Sequence, residues 1–541
     1  MRNLVISLLL GLFISFSQGA FAAEEGEMVN VETPKGAYVG KVVNGVQVFK
    51  GIPFALSTEG EGRFAPPRDL PPHKEPFQAL EYGPSVWQPT PLDNSFGLKP
   101  GSPLSEDSLR LNIWVPTENP DGALLPVYVF IHGGGFGLGS GSHWYYEGTT
   151  LAKEGVVVVT INYRLGALGF LATKETLNRY GTTGNWGIMD QIKALEWVRD
   201  NIKAFGGDPE KVTIGGESAG AMSVSILTLS PLAKGLFRGA ILESGTVFTV
   251  YGYPLTYGSL ERAVTLGDMF LNSLRLKDDS LSLDKIREMS PSILANMCPF
   301  TADWTVISPF SFFPVPDGKV IPKVPQDNLA SGDFNQVKLL MGFNGDESSI
   351  FLTNMDEPES AKSMVTEYLG PDVVQAFFDK YQPKSDEEVY DLVRRLMTMG
   401  IFTAGSKRVA DLHSKFQDVY LFRFEYVSDK SKSEKLGAFH TSELPYVFGY
   451  LDKEGLTKDS EKKLSEDIRT RWVNFIKTGD PNQGKSPPTE APWPRYTREN
   501  PQALHIDTDL KAAPLAEADD MELISDLLFG KVPGEPTDTK K

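Results

Sequence analysis

Cysteine is nearly absent from this sequence, since the 541 residues include only Cys298. A single thiol forms no intrachain disulfide and no cysteine-based zinc or iron–sulfur site. We expect Cys298 to act as a small buried hydrophobic group. The zinc-binding pattern H-E-x-x-H is also missing, and the chemistry inferred below needs neither a metal nor an organic cofactor.

Basic residues are in the minority. The chain has 53 Lys and Arg residues against 70 Asp and Glu residues, which gives a formal net charge of −17. No segment forms a basic patch, and a chain of this charge repels phosphate backbones. The composition therefore excludes nucleic acid as a partner, although it does not select a cationic substrate.

Long apolar runs are scarce as well. The longest is at the N-terminus, from Leu4 to Phe16, and its length of about 13 residues is short of the roughly 20 that span a bilayer. Arg2 precedes this run, and Ala20-Phe21-Ala22 follows it as a small-x-small cleavage pattern. These features predict a signal peptide over residues 1–22 and export to the periplasm or the medium, without a stable membrane anchor. A short membrane anchor is the alternative.

The remaining chain favours one large α/β domain over residues 23–530, followed by a polar tail at 531–541. Short apolar runs typical of strands covered on both faces occur at Val127–Ile131, Val156–Ile161, Val212–Ile214, Ala240–Leu242, Val337–Met341 and Tyr420–Tyr426. A helical pattern over Ile188–Ala204 separates two of these runs. Alternation of this kind predicts a doubly wound, mostly parallel sheet. Residues 250–335 and 355–415 are predicted to form helical insertions over one end of the sheet.

The segment Gly216-Glu217-Ser218-Ala219-Gly220 follows a predicted strand and precedes an apolar helix, Ala219–Leu229. In that context G-x-S-x-G is typical of a nucleophile elbow, a strained turn that exposes the serine hydroxyl above a helix N-terminus. The alternative is an ordinary tight turn. We expect Ser218 to be a nucleophile.

A second glycine-rich segment, His132-Gly133-Gly134-Gly135-Phe136, follows the strand that ends at Ile131. Backbone N–H groups in such a loop can converge on a carbonyl oxygen that gains negative charge. A phosphate-binding loop is the alternative, but neither G-x-G-x-x-G nor G-K-[ST] occurs here. The pattern favours an oxyanion-stabilising loop.

A hydrolytic serine needs a base, and histidine is the usual one. In the order expected for this type of site, the acid and then the histidine follow the serine along the chain. His440, in a loop after the strand Tyr420–Tyr426, fits better than His413 in a predicted helix or His505 in a predicted strand. The acid should follow the strand that begins at Val337, where Asp346 and Glu347 are adjacent, and spacing does not separate them.

Five further segments complete a pattern that resembles the cholinesterase (type-B carboxylesterase/lipase) family, in particular an exported bacterial carboxylesterase. They are Phe49-Lys50-Gly51-Ile52-Pro53, Glu106-Asp107-Ser108-Leu109, Asn162-Tyr163-Arg164, Phe205-Gly206-Gly207-Asp208-Pro209 and Gly479-Asp480-Pro481-Asn482. The resemblance extends from about Val42 to Thr497. It implies an α/β-hydrolase fold with Ser218 as nucleophile, Glu347 as acid and His440 as base. It also implies that Gly134, Gly135 and Ala219 donate to the oxyanion.

The resemblance implies other roles near the site. Glu217 and Glu443 correspond to a buried acidic pair, with an ordinary structural role as the alternative. Phe310 and Phe312 fall where the family has acyl-pocket aromatics, although core packing is the alternative for them.

One departure concerns a disulfide. The family's usual bond would join a cysteine near Val86–Trp87 to one at Ser108, and both cysteines are missing here. We therefore expect that no disulfide cross-links the loop between these positions, and that the loop is more mobile and the entrance to the site wider.

The sequence thus predicts a serine hydrolase that cleaves small to medium carboxylic esters through an acyl-enzyme. A non-catalytic, cholinesterase-like binding or adhesion protein is the alternative from another class. Lipase or amidase activity on the same residues is a second alternative. The natural substrate and the oligomeric state do not follow from the sequence.

Overall fold

The structure is a computed structural model that describes residues 26–89, 103–119, 121–249, 259–274, 282–295, 312–352, 357–484 and 491–531. The predicted signal peptide, Cys298, Phe310 and residues 532–541 of the predicted tail lie outside these ranges. No helix within them is both long and apolar enough to cross a bilayer.

Fifteen strands are present in the described ranges, and thirteen of them form one mixed sheet. The strands are β1 (Met28–Thr33), β2 (Gly36–Val43), β3 (Val46–Pro53), β4 (Phe77–Gln78), β5 (Ser85–Val86), β6 (Leu104–Ser105), β7 (Arg110–Pro116), β8 (Leu125–Ile131), β9 (Val157–Ile161), β10 (Gly207–Glu217), β11 (Gly239–Glu243), β12 (Lys338–Asn344), β13 (Val419–Phe424), β14 (Gln502–Ile506) and β15 (Leu510–Pro514). The order across the large sheet is β1-β2-β3-β7-β9-β8-β10-β11-β12-β13-β14-β15, with β4 paired to β2. Strands β5 and β6 form a separate pair.

The centre of the large sheet, from β9 through β14, is parallel, and the strands at its two ends are antiparallel. This arrangement confirms the predicted doubly wound, mostly parallel sheet. At the N-terminal end, β2 and β3 form a hairpin whose turn residues Asn44 and Gly45 have φ values of 51° and 78°. Two left-handed residues are what a tight primed turn requires.

Helices cover both faces of the sheet. They are α1 (Thr149–Lys153), α2 (Gly166–Phe170), α3 (Lys174–Tyr180), α4 (Trp186–Asn201), α5 (Ala219–Leu229), α6 (Leu260–Ser273), α7 (Leu283–Arg287), α8 (Pro291–Ala295), α9 (Pro325–Ser331), α10 (Pro358–Leu369), α11 (Pro371–Tyr381), α12 (Asp386–Thr398), α13 (Ala404–His413), α14 (Asp429–Ser433), α15 (Leu444–Phe448), α16 (Asp459–Thr478) and α17 (Ala518–Phe529). A π-helical turn, Met399–Thr403, joins α12 to α13. The described parts of the two predicted insertions contain helices α6–α9 and α10–α13, as expected, although residues 312–324 contain no helix.

The core lies on the two faces of the sheet, and β8 shows why. Val127, Val129 and Ile131 pack into one hydrophobic cluster with α4 and α5, whereas Tyr128 and Phe130 pack into a second cluster with α15 and α16. Side chains of a strand point alternately to opposite faces. Because helices cover both faces of the sheet, the side chains on both faces of β8 are apolar. The strand is therefore a continuous apolar run and does not alternate between apolar and polar residues. The carboxyl ends of β8, β10, β11 and β12 then meet at one edge of the sheet.

Candidate active site

Ser218 occupies the sharp turn between β10 and α5. Its backbone angles, φ 58° and ψ −124°, lie in a region that L-residues rarely adopt, and such strain is typical of functional turns. The flanking glycines make the turn possible, because a Cβ on Gly220 would lie 2.0 Å from the Ile131 carbonyl oxygen and one on Gly216 would lie 2.5 Å from the Gly220 carbonyl carbon. The Ser218 amide donates to the Glu243 carbonyl at 2.8 Å. The turn has the backbone geometry of a nucleophile elbow.

The glycine-rich loop after β8 lies directly beside this turn. A Cβ added to Gly133 would be 3.0 Å from the Ser218 Cβ. Gly134 and Gly135 have φ values of 104° and 59°, and a Cβ on Gly134 would lie 2.2 Å from the Leu138 carbonyl oxygen. Within the described ranges, the amide N–H groups of Gly134, Gly135 and Ala219 have no backbone acceptor. These three backbone N–H groups near Ser218 can therefore donate hydrogen bonds to a bound group.

Neighbouring side chains hold this loop in place. Gln88 accepts from the Gly139 amide at 2.7 Å and donates to the Gly139 carbonyl at 2.8 Å. The Tyr163 hydroxyl donates to the His132 carbonyl at 3.0 Å. Burial lowers the pKa of His132 to about 4, so its imidazole is neutral at pH 7. These hydrogen bonds stabilise the loop, and no charged side chain lies in it.

His440 and Glu347 are in direct contact. Nδ1 of His440 lies 2.6 Å from Oε2 of Glu347, and both side chains are buried. The other carboxylate oxygen of Glu347 accepts from the Asn344 amide at 2.7 Å. Asp346 points elsewhere, because its carboxylate accepts from the Ala438 amide and lies 3.5 Å from Arg394. The geometry thus separates two adjacent carboxylates that spacing alone leaves equivalent.

The other late histidines lie in different surroundings. His413 ends α13, and its Nε2 lies 2.6 Å from the Val337 carbonyl oxygen. Burial lowers its pKa to about 4. His505 lies in β14, with Nδ1 3.0 Å from the Glu425 carboxylate. The predictions that His413 belongs to a helix and His505 to a strand are confirmed.

Glu217 and Glu443 also lie close to His440. Oε1 of Glu217 is 3.2 Å from Nε2 of His440, and Glu443 accepts from Asn344 Nδ2 at 2.5 Å. Burial lowers the pKa of His440, but the negative charges of Glu217, Glu347 and Glu443 raise it more, to about 9. The fold therefore makes His440 a stronger base than a free imidazole. Since Glu217 immediately precedes Ser218, the same contact places the imidazole beside the turn that carries Ser218.

Two aromatic rings that sequence reasoning missed pack against the imidazole. The ring centroids of Phe351 and Phe402 lie 5.6 Å and 4.7 Å from that of His440. Phe351 ends the 3₁₀ turn that starts at Glu347, and Phe402 lies in the π-helical turn between α12 and α13. Turns of this rare kind are frequent at functional sites. No local pattern around Phe402 predicts the contact, because the insertion carries it to His440.

The predicted acyl-pocket residues are only partly described. Phe312 is buried and packs edge-on against Phe270 of α6, with ring centroids 4.9 Å apart. Phe310 lies outside the described residues. The assignment of both residues to an acyl pocket stays a prediction.

The two ends of the loop that lacks the disulfide are joined in another way. Val86 pairs with Ser105 in the short parallel pair β5–β6. The Asn162 side-chain amide donates to the Pro84 carbonyl at 3.3 Å and to the Ser108 carbonyl at 3.1 Å. Residues 90–102, which make up most of the loop, lie outside the described ranges, so its predicted mobility stays a prediction.

Several known proteins are similar to this chain in sequence and in fold. The family model described as "Carboxylesterase family" matches residues 27–523. Para-nitrobenzyl esterase of Bacillus subtilis (strain 168) is 36% identical over 493 residues, which covers 89% of this chain and 95% of that protein. Liver carboxylesterase of Sus scrofa is 34% identical over 567 residues, with 97% of each chain covered. A solved PNB esterase structure has a TM-score of 0.76 at 33% identity and covers 92% of this chain and 99% of its own.

The chain therefore belongs to the carboxylesterase family and has the α/β-hydrolase fold. It is a carboxylic ester hydrolase of the serine type. The resemblance inferred from the sequence is confirmed, and the alternative of a non-catalytic binding protein is not favoured.

Substitution of Gly220 tests the steric requirement of the turn. We expect Gly220→Ala to destabilise the fold by about 1–3 kcal/mol, the usual cost of overpacking, and to abolish hydrolysis of p-nitrophenyl acetate. The reason is the 2.0 Å approach of the new Cβ to the Ile131 carbonyl oxygen. Thermal unfolding and initial rates measure the two effects.

Gly345→Ala is the matched control. A Cβ at Gly345 meets its first neighbour at 3.6 Å, an ordinary contact, so this variant should keep its unfolding temperature and rate. Equal behaviour of the two variants would contradict the steric argument.

Proposed function

We propose that Ser218, His440 and Glu347 form the catalytic triad of this esterase and that the N–H groups of Gly134, Gly135 and Ala219 form its oxyanion hole. The observation that carries the proposal is the 2.6 Å contact between His440 and Glu347, beside a serine in a strained elbow. In this constellation the acid orients the imidazole and supports the charge that it acquires.

The reaction proceeds in two halves. Ser218 Oγ attacks the ester carbonyl carbon while His440 Nε2 accepts the hydroxyl proton, and the carbonyl oxygen becomes an oxyanion held by the three N–H donors. As the tetrahedral intermediate collapses, the carbon–oxygen bond to the alcohol breaks, and His440 returns the proton to the departing alcohol. Water then attacks the acyl-enzyme by the same steps, which releases the acid and restores Ser218.

Glu347→Gln and Asp346→Asn test which carboxylate serves the base. We expect Glu347→Gln to lower kcat by about 10⁴-fold, the effect of losing the correct imidazole tautomer. Asp346→Asn should keep kcat within about threefold, because its carboxylate does not touch His440. Steady-state kinetics on p-nitrophenyl acetate compare the variants.

Ser218→Ala completes this test. It should remove measurable turnover and the covalent labelling by a serine-directed organophosphate. Unchanged turnover in Ser218→Ala, or equal losses in the two carboxylate variants, would refute the proposed triad.

The substrates that we propose are small to medium carboxylic esters. The name of the Bacillus subtilis relative specifies a para-nitrobenzyl ester, and another relative, from Sphingopyxis macrogoltabida, is named fumonisin B1 esterase. Hydrolases of small-molecule esters thus occur among the relatives. The bulky side chains of Phe310 and Phe312 would shorten an acyl pocket if both line it.

Acyl-chain length tests this proposal. Across p-nitrophenyl esters of increasing length, kcat/KM should be highest for short acyl chains, because a pocket closed by two phenyl rings excludes long ones. Phe312→Ala should shift the optimum to longer chains. A wild-type maximum beyond about ten carbons would contradict the proposed pocket.

We also propose that the chain is exported and that residues 1–22 are removed. The pattern Arg2, apolar run and Ala20-Phe21-Ala22 supports this. Intact mass of the protein from the periplasm or the medium should correspond to a chain that starts at Ala23. Retention of Met1 in the exported protein would contradict the proposal.

A further inference from the structure

Glu243 is the last residue of β11 and lies beside Glu217 in the sheet. The two residues are register partners of neighbouring parallel strands, so their side chains project from the same face. That face also carries Trp472 of α16 and Tyr128 of β8. The backbone carbonyl of Glu243 accepts the hydrogen bond of the Ser218 amide. Glu243 therefore lies immediately behind the nucleophile turn, although nothing assigns a role to its side chain.

The Glu243 carboxyl is completely enclosed. Its exposure is 0%, and neither of its oxygens has a hydrogen-bond partner within the described ranges. One oxygen of Glu217 and one of Glu443 also lack such a partner among the described residues. We call Glu217, Glu243 and Glu443 the carboxyl cluster. Burial and the charges of neighbouring carboxyl groups both disfavour full ionisation of these three residues, so we expect the cluster to bind protons.

The surroundings of the three groups indicate where a proton resides. Glu217 touches His440, and Glu443 receives a hydrogen bond from Asn344. Burial raises the pKa of both residues, and the positive charge of His440 opposes that rise. Glu243 has neither kind of support. The carboxyl without a cation or a well-formed donor beside it is the one that ionises last.

The pKa shifts agree with this placement. Burial, and then the charges of Glu443 and Glu217, raise the pKa of Glu243 well above the ordinary carboxyl value. The indole N–H of Trp472 opposes the rise without forming a well-aligned hydrogen bond. Tyr128 faces the cluster from β8, where burial and the charge of Glu243 raise the pKa of its hydroxyl. A raised pKa favours the protonated form of the Glu243 carboxyl, in agreement with its enclosed position and its lack of a hydrogen-bond partner among the described residues.

We propose that Glu243 is a positioning residue that keeps a proton at neutral pH and uses it to donate a hydrogen bond within the carboxyl cluster, so that Glu217 stays ionised against His440. This inference rests on the proposed role of His440 as base. An ionised Glu217 stabilises the imidazolium that forms when His440 takes the proton of Ser218. Without this neutral donor, Glu217 or Glu443 binds a proton from solvent, and His440 becomes a weaker base.

Two substitutions of Glu243 separate this role from simple packing. Glu243→Gln keeps a neutral side chain that donates hydrogen bonds. It should keep kcat within about twofold and the acid limb of the kcat/KM profile within about 0.3 pH unit. Glu243→Leu offers no donor. We expect its acid limb to move to lower pH and its kcat on the alkaline plateau, where the imidazole is neutral, to fall about tenfold at unchanged KM, because the base is weakened while substrate contacts remain.

Glu217→Gln is the comparison variant. It removes the charge that touches His440, and its acid limb should move in the same direction as that of Glu243→Leu. If Glu243 is instead ionised, Glu243→Gln removes a buried negative charge and shifts the limb downward as well. That result, or full activity in Glu243→Leu, would overturn the proposal.

Infrared spectroscopy detects the proton directly and does not depend on turnover or on the leucine variant. In the Ser218→Ala background at neutral pH, the band of a buried protonated carboxyl should be present and should disappear in Glu243→Gln. Glu106→Gln is the matched control, since Glu106 is also buried but lies in an ion pair with Arg63, and its substitution should leave the band unchanged. An unchanged band in Glu243→Gln would refute protonation of Glu243. Activity in Ser218→Ala would refute the triad and leave the infrared result interpretable.

Discussion

The backbone turn at Ser218 is the constraint on which the rest of the site depends. A serine with a φ of 58° is held between a strand and a helix, and such a conformation persists only where the surroundings determine it. Here β8 and β11 flank β10, the Ile131 carbonyl closes against Gly220, and the Glu243 carbonyl receives the serine amide. The parallel strands at the centre of the sheet thus stabilise the strained backbone of Ser218 and place this residue at the carboxyl edge of the sheet.

Electrostatics imposes the second constraint. The edge of the sheet collects several buried carboxyl groups around one imidazole, and the charges of these groups raise the pKa of His440 to about 9 against the effect of burial. The same proximity makes full ionisation of Glu217, Glu243 and Glu443 unfavourable. Basicity of His440 and protonation within the carboxyl cluster are therefore linked properties of one buried site. The aromatic rings of Phe351 and Phe402 form an apolar wall against the imidazole.

Other contacts lie where the disulfide of the family is missing. Where the family resemblance implies a disulfide, backbone pairing of β5 with β6 and the side-chain amide of Asn162 join the two ends of the loop. Gln88, at the start of that loop, is also the residue that holds Gly139. The glycine-rich loop after β8 and the start of the loop without the disulfide are thus connected by hydrogen bonds that need no oxidised thiol.

The sequence by itself determined the sheet class, the elbow at Ser218 and the loop that carries His440, because strand runs, glycine spacing and turn residues are local consequences of backbone sterics and burial. It left Asp346 and Glu347 equivalent by spacing, and it contained no sign of Phe402 or Glu243. Only the tertiary structure decided which carboxylate meets the imidazole, which insertion covers it and which acidic side chains share one buried interior. Those contacts join residues that are far apart in the sequence, and no local sequence pattern indicates that they are close in space.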